Sequence, residues 1–252
     1  MTALALDVRS IGHSFGGLTV LTDVSFTVPD GRIVGLIGPN GSGKSTLFNI
    51  LNGFLTPRAG RVLLYGNDVG TMSVEARSRN GLVRTFQTPK VFEQMTVLEN
   101  LMAGAHKLTR SGALENLLAM PRARGDLQEM RERAQLLCER FGLDRLRDTP
   151  AGKLTSGQRR MLELARAYAG KPRLLMLDEP SSGLTTEEVG QLGQWLHTLN
   201  DEGITLLLVS HDMQLMNVAT VVNVLYFGAI IASGSMSEMQ RDPKVREVYL
   251  GA

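Results

Sequence analysis

The sequence predicts an α/β protein with a largely parallel central sheet and a helical subdomain inserted into it. Three observations predict it. Short apolar or β-branched runs alternate with helical patterns at both ends of the chain; strand signals vanish from about Thr96 to Gly170; and 252 residues suffice for one large α/β domain or a core plus a subdomain.

Taken in order, Val24 to Val28 and Ile33 to Ile37 read as strands, and a glycine-rich loop then leads into a helix from Thr46 to Gly53. The middle of the chain reads as helices joined by polar loops. There Leu127, Met130, Ala134, Leu137, Cys138 and Phe141 recur at three- and four-residue steps, which predicts one apolar helical stripe. Leu174 to Leu177 and Ile204 to Val209 are the most apolar runs, as expected of central strands covered on both faces. Helix Thr186 to Leu199 lies between them and completes a βαβ unit. No charged residue occurs between Asp212 and Glu238, yet Gln214, Asn217, Thr220, Asn223, Gly228, Ser233 and Gly234 interrupt that window. Its best apolar stretch, Val218 to Ala232, is shorter than the about 18 to 20 residues a membrane helix needs, so it reads as strand, turn, strand.

Composition narrows the function. The 27 basic and 25 acidic side chains leave a net charge of +2, which gives no support to nucleic-acid binding. The single cysteine, Cys138, excludes an intramolecular disulfide framework and a cysteine-rich zinc site, and it reads as a small buried apolar residue in a reducing compartment. The opening MTALALDVRS has no basic region followed by an apolar run of signal-peptide length, so secretion is not expected.

Two motifs carry chemistry. GPNGSGKST places Gly38, Pro39, Asn40, Gly41, Ser42, Gly43, Lys44, Ser45 and Thr46 between an apolar strand and a helix, the pattern of a phosphate-binding loop. Backbone N–H groups from Gly41 to Ser45 would converge on a phosphate at the positive helix end, Lys44 would add a point charge, and the Ser45 hydroxyl can ligate Mg²⁺. LLMLDEP, Leu174 to Pro180, brings Asp178 and Glu179 to the mouth of a buried strand. Asp178 would hold Mg²⁺ directly or through water, and Glu179 suits a general base acting on the attacking water. Together the two motifs identify an ATPase or a GTPase. KLTSGQRR, Lys153 to Arg160, opens a helix with Thr155 and Gly157 at its positive end, which taken alone is an ordinary helix cap.

GPNGSGKST, LTSGQ, LLMLDEP and VSHDM in this order resemble the nucleotide-binding subunit of an ATP-binding cassette transporter, over nearly the whole chain. The resemblance implies one ABC ATPase domain over 1–252, with an N-terminal antiparallel β subdomain and a helical subdomain at about 96–170. It implies ATP and Mg²⁺ as ligands and a head-to-tail dimer in which Thr155, Ser156, Gly157 and Gln158 complete the ATP site of a second ATPase, either a homologous chain or another copy. Gln87, in VRTFQ, matches the glutamine near Mg²⁺ and the attacking water that links the site to the membrane subunit. His211 matches the histidine on the γ-phosphate, and Phe15, in HSFGG, matches the aromatic that stacks on adenine. His13, His106 and His197 match no motif and read as structural or solvated. Three positions depart from the family pattern: Thr155, which stands for the usual Ser and keeps its hydroxyl, Ser156 at the next position of the signature, and Thr185, where an Asp or Asn is common.

Within the family, RTFQTPKVFEQMTVLENLMAG, SGALENLLAMPRARGDLQ and the ending DPKVREVYLGA resemble the ATPase subunits of branched-chain amino acid importers. Importers of urea and short amides share much of this pattern, and the ATPase of lipopolysaccharide export shares it more distantly. The resemblance implies two multi-span membrane permeases, a periplasmic or extracellular substrate-binding protein, and a peripheral position on the cytoplasmic face of the inner membrane. A soluble cassette ATPase acting on DNA or ribosomes would show tandem domains or a long coiled-coil insertion, and this chain has one phosphate loop and no sustained heptads.

Overall fold

The computed structural model describes residues 3–106 and 121–250. The chain divides into two compact units, Met1–Gln87 with Arg173–Ala252, and Thr88–Pro172.

The first unit holds two sheets. β1 (Leu4–Phe15) and β2 (Leu18–Pro29) form an antiparallel hairpin that β4 (Ala59–Leu64) and β5 (Asn67–Asp68) extend in the order β2-β1-β4-β5. Their inward residues Leu6, Val8, Val24, Phe26, Val28, Val62 and Leu64 are buried in one cluster with Leu47, Phe48 and Leu51 of helix α1 (Lys44–Asn52). The expected strand Val24 to Val28 is the inner half of β2, and the alternation of its buried residues reflects a sheet wet on one face.

The second sheet runs in the order β10-β9-β3-β8-β7-β6, with β3 (Ile33–Ile37), β6 (Leu82–Arg84), β7 (Leu174–Asp178), β8 (Thr205–Val209), β9 (Val221–Tyr226) and β10 (Ala229–Gly234). All its pairs are parallel except the edge hairpin of β9 and β10. Every residue of β3, β7 and β8 is buried, which is why these strands read as continuous apolar runs. Helix Thr186–Asp201, opened by a reciprocal capping box between Thr185 and Glu188, joins β7 to β8 as a βαβ crossover. Val209 stands level with both Leu36 and Asp178, so β3, β7 and β8 end together. The loops after all three strands therefore open on one edge, where open α/β sheets bind ligands. The uncharged window of residues 213–237 forms a short helix, Met213–Met216, then β9, a tight Phe227–Gly228 turn and β10.

The second unit is helical: among its described residues are helices Val97–Ala105, Pro121–Arg140 and Ser156–Ala169, with a single bridge between Thr96 and Pro150 in place of a strand. Ala134, Leu137, Cys138 and Phe141 of the expected stripe are buried. Leu127 is not: it is 56% exposed, which corrects the stripe at its start. Helix Pro121–Arg140 has 20 residues, whereas the described helices it packs with, Val97–Ala105 and Ser156–Ala169, have 9 and 14, so its apolar period is longer than either of these described neighbours. Arg160 and Glu163 form an ion pair of 2.8 Å whose side chains are almost wholly enclosed.

Candidate nucleotide site

The phosphate loop starts where β3 stops. A Cβ at Gly38 would lie 2.2 Å from the Leu225 carbonyl oxygen, so only glycine lets the loop pass β9. Gly43 takes φ 106° as the residue before α1, a left-handed turn that brings Lys44 and Ser45 into the helix itself. The helix therefore begins two residues earlier than the sequence predicts. No side chain caps α1, whereas Val97–Ala105, Ser156–Ala169, Thr186–Asp201 and Met236–Arg241 all carry reciprocal capping boxes. Its first N–H groups thus remain for an anion at the positive end of the helix.

These N–H groups face a cavity of about 280 Å³ lined by Val20, Asn40, Gly41, Gly43, Lys44, Ser45, Thr46, Gln87, Asp178, Glu179 and Val209. The structure thus brings together the middle of the loop, both strand-end carboxylates and Gln87. The Lys44 ammonium donates to the carbonyls of Gly38 at 2.7 Å and Pro39 at 2.9 Å. Burial pushes its pKa down, opposed by the attraction of Glu179 and then of Asp178. Ser42 Oγ is a buried hydroxyl without a hydrogen-bond partner. The oxygen donors of Ser45, Asp178 and Gln87 suit Mg²⁺, which is held by few protein oxygens plus those of phosphates. Among the described residues no cluster of three His, Cys, Asp or Glu could hold a metal without such help.

Glu179 is the next residue after β7 and takes φ 48°, a left-handed conformation unusual for a side chain with a Cβ. Its N–H donates to the Val209 carbonyl at 2.8 Å, which pins the strained residue to β8. His211, in the loop after β8, brings Nδ1 to 2.8 Å from Glu179 Oε2, and its backbone N–H donates to the same oxygen at 3.3 Å. The imidazole is 71% exposed. Beneath this pair the hydroxyls of Ser181 and Ser210 meet at 3.1 Å in a buried contact, and Ser210 Oγ accepts from the Asp212 N–H.

Phe15 stands outside the cavity lining, at the end of β1, half exposed and edge-on to the half-buried His13. His106 and His197 are exposed. Thr155, Ser156, Gly157 and Gln158 belong to the other unit, at the start of helix Ser156–Ala169. Thr155 Oγ1 accepts from the Gln158 N–H at 3.2 Å, and Gln158 Oε1 accepts from the Thr155 N–H at 3.0 Å. Thr185 likewise works within its own helix as an N-cap.

Sequence reasoning missed Arg84. Its guanidinium donates to Asp178 Oδ2 at 2.6 Å and to Asn49 Oδ1 at 2.7 Å, between the rings of Phe48 and Phe86. The available signal was one basic residue in the apolar run LVR, three positions before Gln87.

A parallel sheet with an uncapped glycine loop, a buried Asp and an adjacent Glu at its carboxyl edge defines a phosphate-loop nucleotide hydrolase. Comparison with known proteins narrows the class. The ABC transporter profile matches residues 21–182, and a second profile, described as branched-chain amino acid ATP-binding cassette transporter, matches residues 229–252. The chain belongs to the ABC transporter family, whose activity is ATP hydrolysis. It is 36% identical, over all of this chain and 99% of the relative, to the high-affinity branched-chain amino acid transport ATP-binding protein BraF of Pseudomonas aeruginosa. It is 37% identical over the same shares to its counterpart LivG of Escherichia coli, and 32% identical over 98% and 97% to the lipopolysaccharide export system ATP-binding protein LptB of that organism. A solved ATP-binding cassette of an ABC transporter in its ADP conformation superposes with a TM-score of 0.85 at 34% identity, covering all of both chains.

Proposed function

We propose that this chain is the ATP-hydrolysing motor of an importer for branched-chain amino acids. The observation that carries the reading is the similarity to BraF and LivG across the full length of both partners, reinforced by the profile matched at residues 229–252. The motor sits on the cytoplasmic face of the membrane against two permeases and works with a substrate-binding protein. Among the described residues no helix is long and apolar enough to cross a membrane, which fits attachment through partners.

In this reading the N–H groups of the loop and the start of α1, with Lys44, bind the β and γ phosphates of ATP, and Phe15 stacks on adenine. Ser45, Asp178 and Gln87 hold Mg²⁺, which supplies charge neutralisation at the phosphates. Glu179 accepts the proton of the attacking water. His211 keeps Glu179 oriented through Nδ1 and presents Nε2 to the γ-phosphate. Catalysis is positioning plus charge stabilisation, with little covalent work for the protein. Thr155, Ser156, Gly157 and Gln158 of a second ATPase close over the nucleotide from the other side. ATP closes this dimer and hydrolysis reopens it, and the Gln87 segment passes the motion to the permeases.

The test is uptake of labelled leucine, with urea in parallel, by cells whose only copy of the chain is wild type or Lys44→Ala, redundant carriers removed. Selective loss of leucine uptake in the variant is the expected result. Unchanged leucine uptake refutes the cargo assignment, and a urea defect in its place assigns the chain to a short-amide importer.

A further inference from the structure

Asp178 is not an isolated carboxylate at the end of β7. Its Oδ2 is occupied by Arg84, and the pair is nearly enclosed, with side-chain exposures of 6% for Arg84 and 11% for Asp178. Arg84 in turn is fixed from three sides. Its other terminal nitrogen donates to Asn49 Oδ1, on the helix that begins at the phosphate loop, and its guanidinium lies 5.5 Å from the Phe48 ring centroid and 5.3 Å from that of Phe86. Asn49 and Phe48 belong to α1, Phe86 to the segment that leads from β6 into Gln87, so three chemically distinct parts of the site meet on one side chain. The short β6 is itself held in register beside β7, with Arg84 opposite Met176 and the Thr85 N–H donating to the Met176 carbonyl at 2.9 Å.

From this geometry we infer that Arg84 is a positioning residue for the metal: it clamps Asp178 through Oδ2, leaving Oδ1 as the oxygen for the cation, and ties that carboxylate to α1 through Asn49. The inference rests on the proposed role of Asp178 in holding Mg²⁺. A fork with two separate terminal nitrogens is what the arrangement requires, which lysine lacks. The opposing physical effect is electrostatic. A guanidinium beside the ligand repels a divalent cation, so a mere charge neighbour would weaken metal binding and its removal would strengthen it. A positioning partner has the opposite sign, since loss of a residue that orients a metal ligand typically costs about 10- to 100-fold in metal affinity.

The experiment titrates Mn²⁺ into the full chain saturated with ADP, read by electron paramagnetic resonance, for wild type, Arg84→Ala, Arg84→Gln, Arg84→Lys and Asp178→Asn. Metal-free ADP affinity and melting temperature are measured on the same samples. The expected result is Mn²⁺ binding weakened about tenfold or more in Arg84→Ala, partly restored in Arg84→Lys, with metal-free ADP affinity within twofold of wild type. Arg84→Gln keeps a donor without the charge and serves where the alanine variant does not fold. Mn²⁺ binding that is unchanged or tighter in the folded Arg84 variants, while Asp178→Asn weakens it, overturns the role of Arg84. Unchanged binding in Asp178→Asn overturns the metal role of Asp178 itself, and the inference with it.

Discussion

Thr155 caps its own helix and has a second, proposed duty toward a nucleotide on another subunit, and replacing it with alanine separates the two. Within the chain it forms half of a capping box: Oγ1 accepts from the Gln158 N–H at 3.2 Å while Gln158 returns the bond at 3.0 Å. Removing an N-cap hydroxyl costs about 1 kcal/mol, which for a chain of this size lowers the melting temperature by about 2–4 °C. Against a domain stability of about 5–15 kcal/mol that loss leaves the folded fraction essentially unchanged, so it predicts no fall in turnover. The second duty is the proposed one. Acceptance from Gln158 leaves the O–H of Thr155 available as a donor, and in the closed dimer it would donate to a phosphate oxygen of the ATP bound to the other subunit. A hydrogen bond to a charged group contributes about 1.5–3 kcal/mol, so its loss predicts a fall of roughly 10- to 150-fold in ATP turnover by the assembled transporter. Thr155→Ser retains the oxygen and should restore both readouts. Calorimetric melting and steady-state ATPase of the complex are the assays. A Thr155→Ala protein that melts 2–4 °C lower yet turns over ATP within twofold of wild type would reduce Thr155 to a helix cap and refute the reasoning.

Three further outcomes follow from the site and the core. Glu179→Gln keeps the shape and the contact with His211 but removes the proton acceptor, so ATP turnover should fall about 10²- to 10⁴-fold while ATP binding and nucleotide-driven dimerisation persist; full turnover would remove Glu179 from the role of base. Gly38→Ala must displace either the loop or the Leu225 carbonyl, because its Cβ would sit 2.2 Å from that oxygen; a stability loss of about 1–3 kcal/mol with weakened ADP binding is expected, and normal values for both would contradict the close approach. Burial pushes the Cys138 thiol from its ordinary 9.0 up to about 11, so at pH 8 native protein should react with iodoacetamide about 100-fold more slowly than guanidine-unfolded protein. The same shift makes its contribution to stability fully present below pH 9 and lost as pH rises toward 11, since the unfolded thiol ionises first. Equal labelling of native and unfolded protein would contradict this burial.

What the sequence disclosed and what it withheld divide along the range of the interactions. Ile33–Ile37, Leu174–Leu177 and Ile204–Val209 announced β3, β7 and β8 because a strand covered on both faces must be apolar at every position. The phosphate loop was equally plain as a motif, although the need for glycine at position 38 comes from the distant Leu225 carbonyl on β9, which no local pattern shows. The sequence places the start of α1 at Thr46, two residues late, because Gly43 turns the chain so sharply that Lys44 is already helical. Periodicity places Leu127 in the apolar stripe because it records a helix face, but not which part of that face a neighbour covers, and Leu127 is exposed. Arg84 went unread because its partner lies 94 positions away and meets it only through the parallel pairing of β6 with β7. The left-handed backbone of Glu179 is equally a product of the whole sheet, pinned by a bond to Val209.

The order β9-β3-β8 at the centre of the sheet governs how the protein can be made. β3 and the phosphate loop leave the ribosome early, but both neighbours of β3 come from the last quarter of the chain, beginning at residue 205 and residue 221. At about 5–20 residues per second this strand waits on the order of 10 to 30 s with both apolar edges unpaired. Over that interval the unpaired strand is a pairing template for other chains, and the topology predicts that the glycine loop at its end orders late in folding, when a chaperone has most to shield.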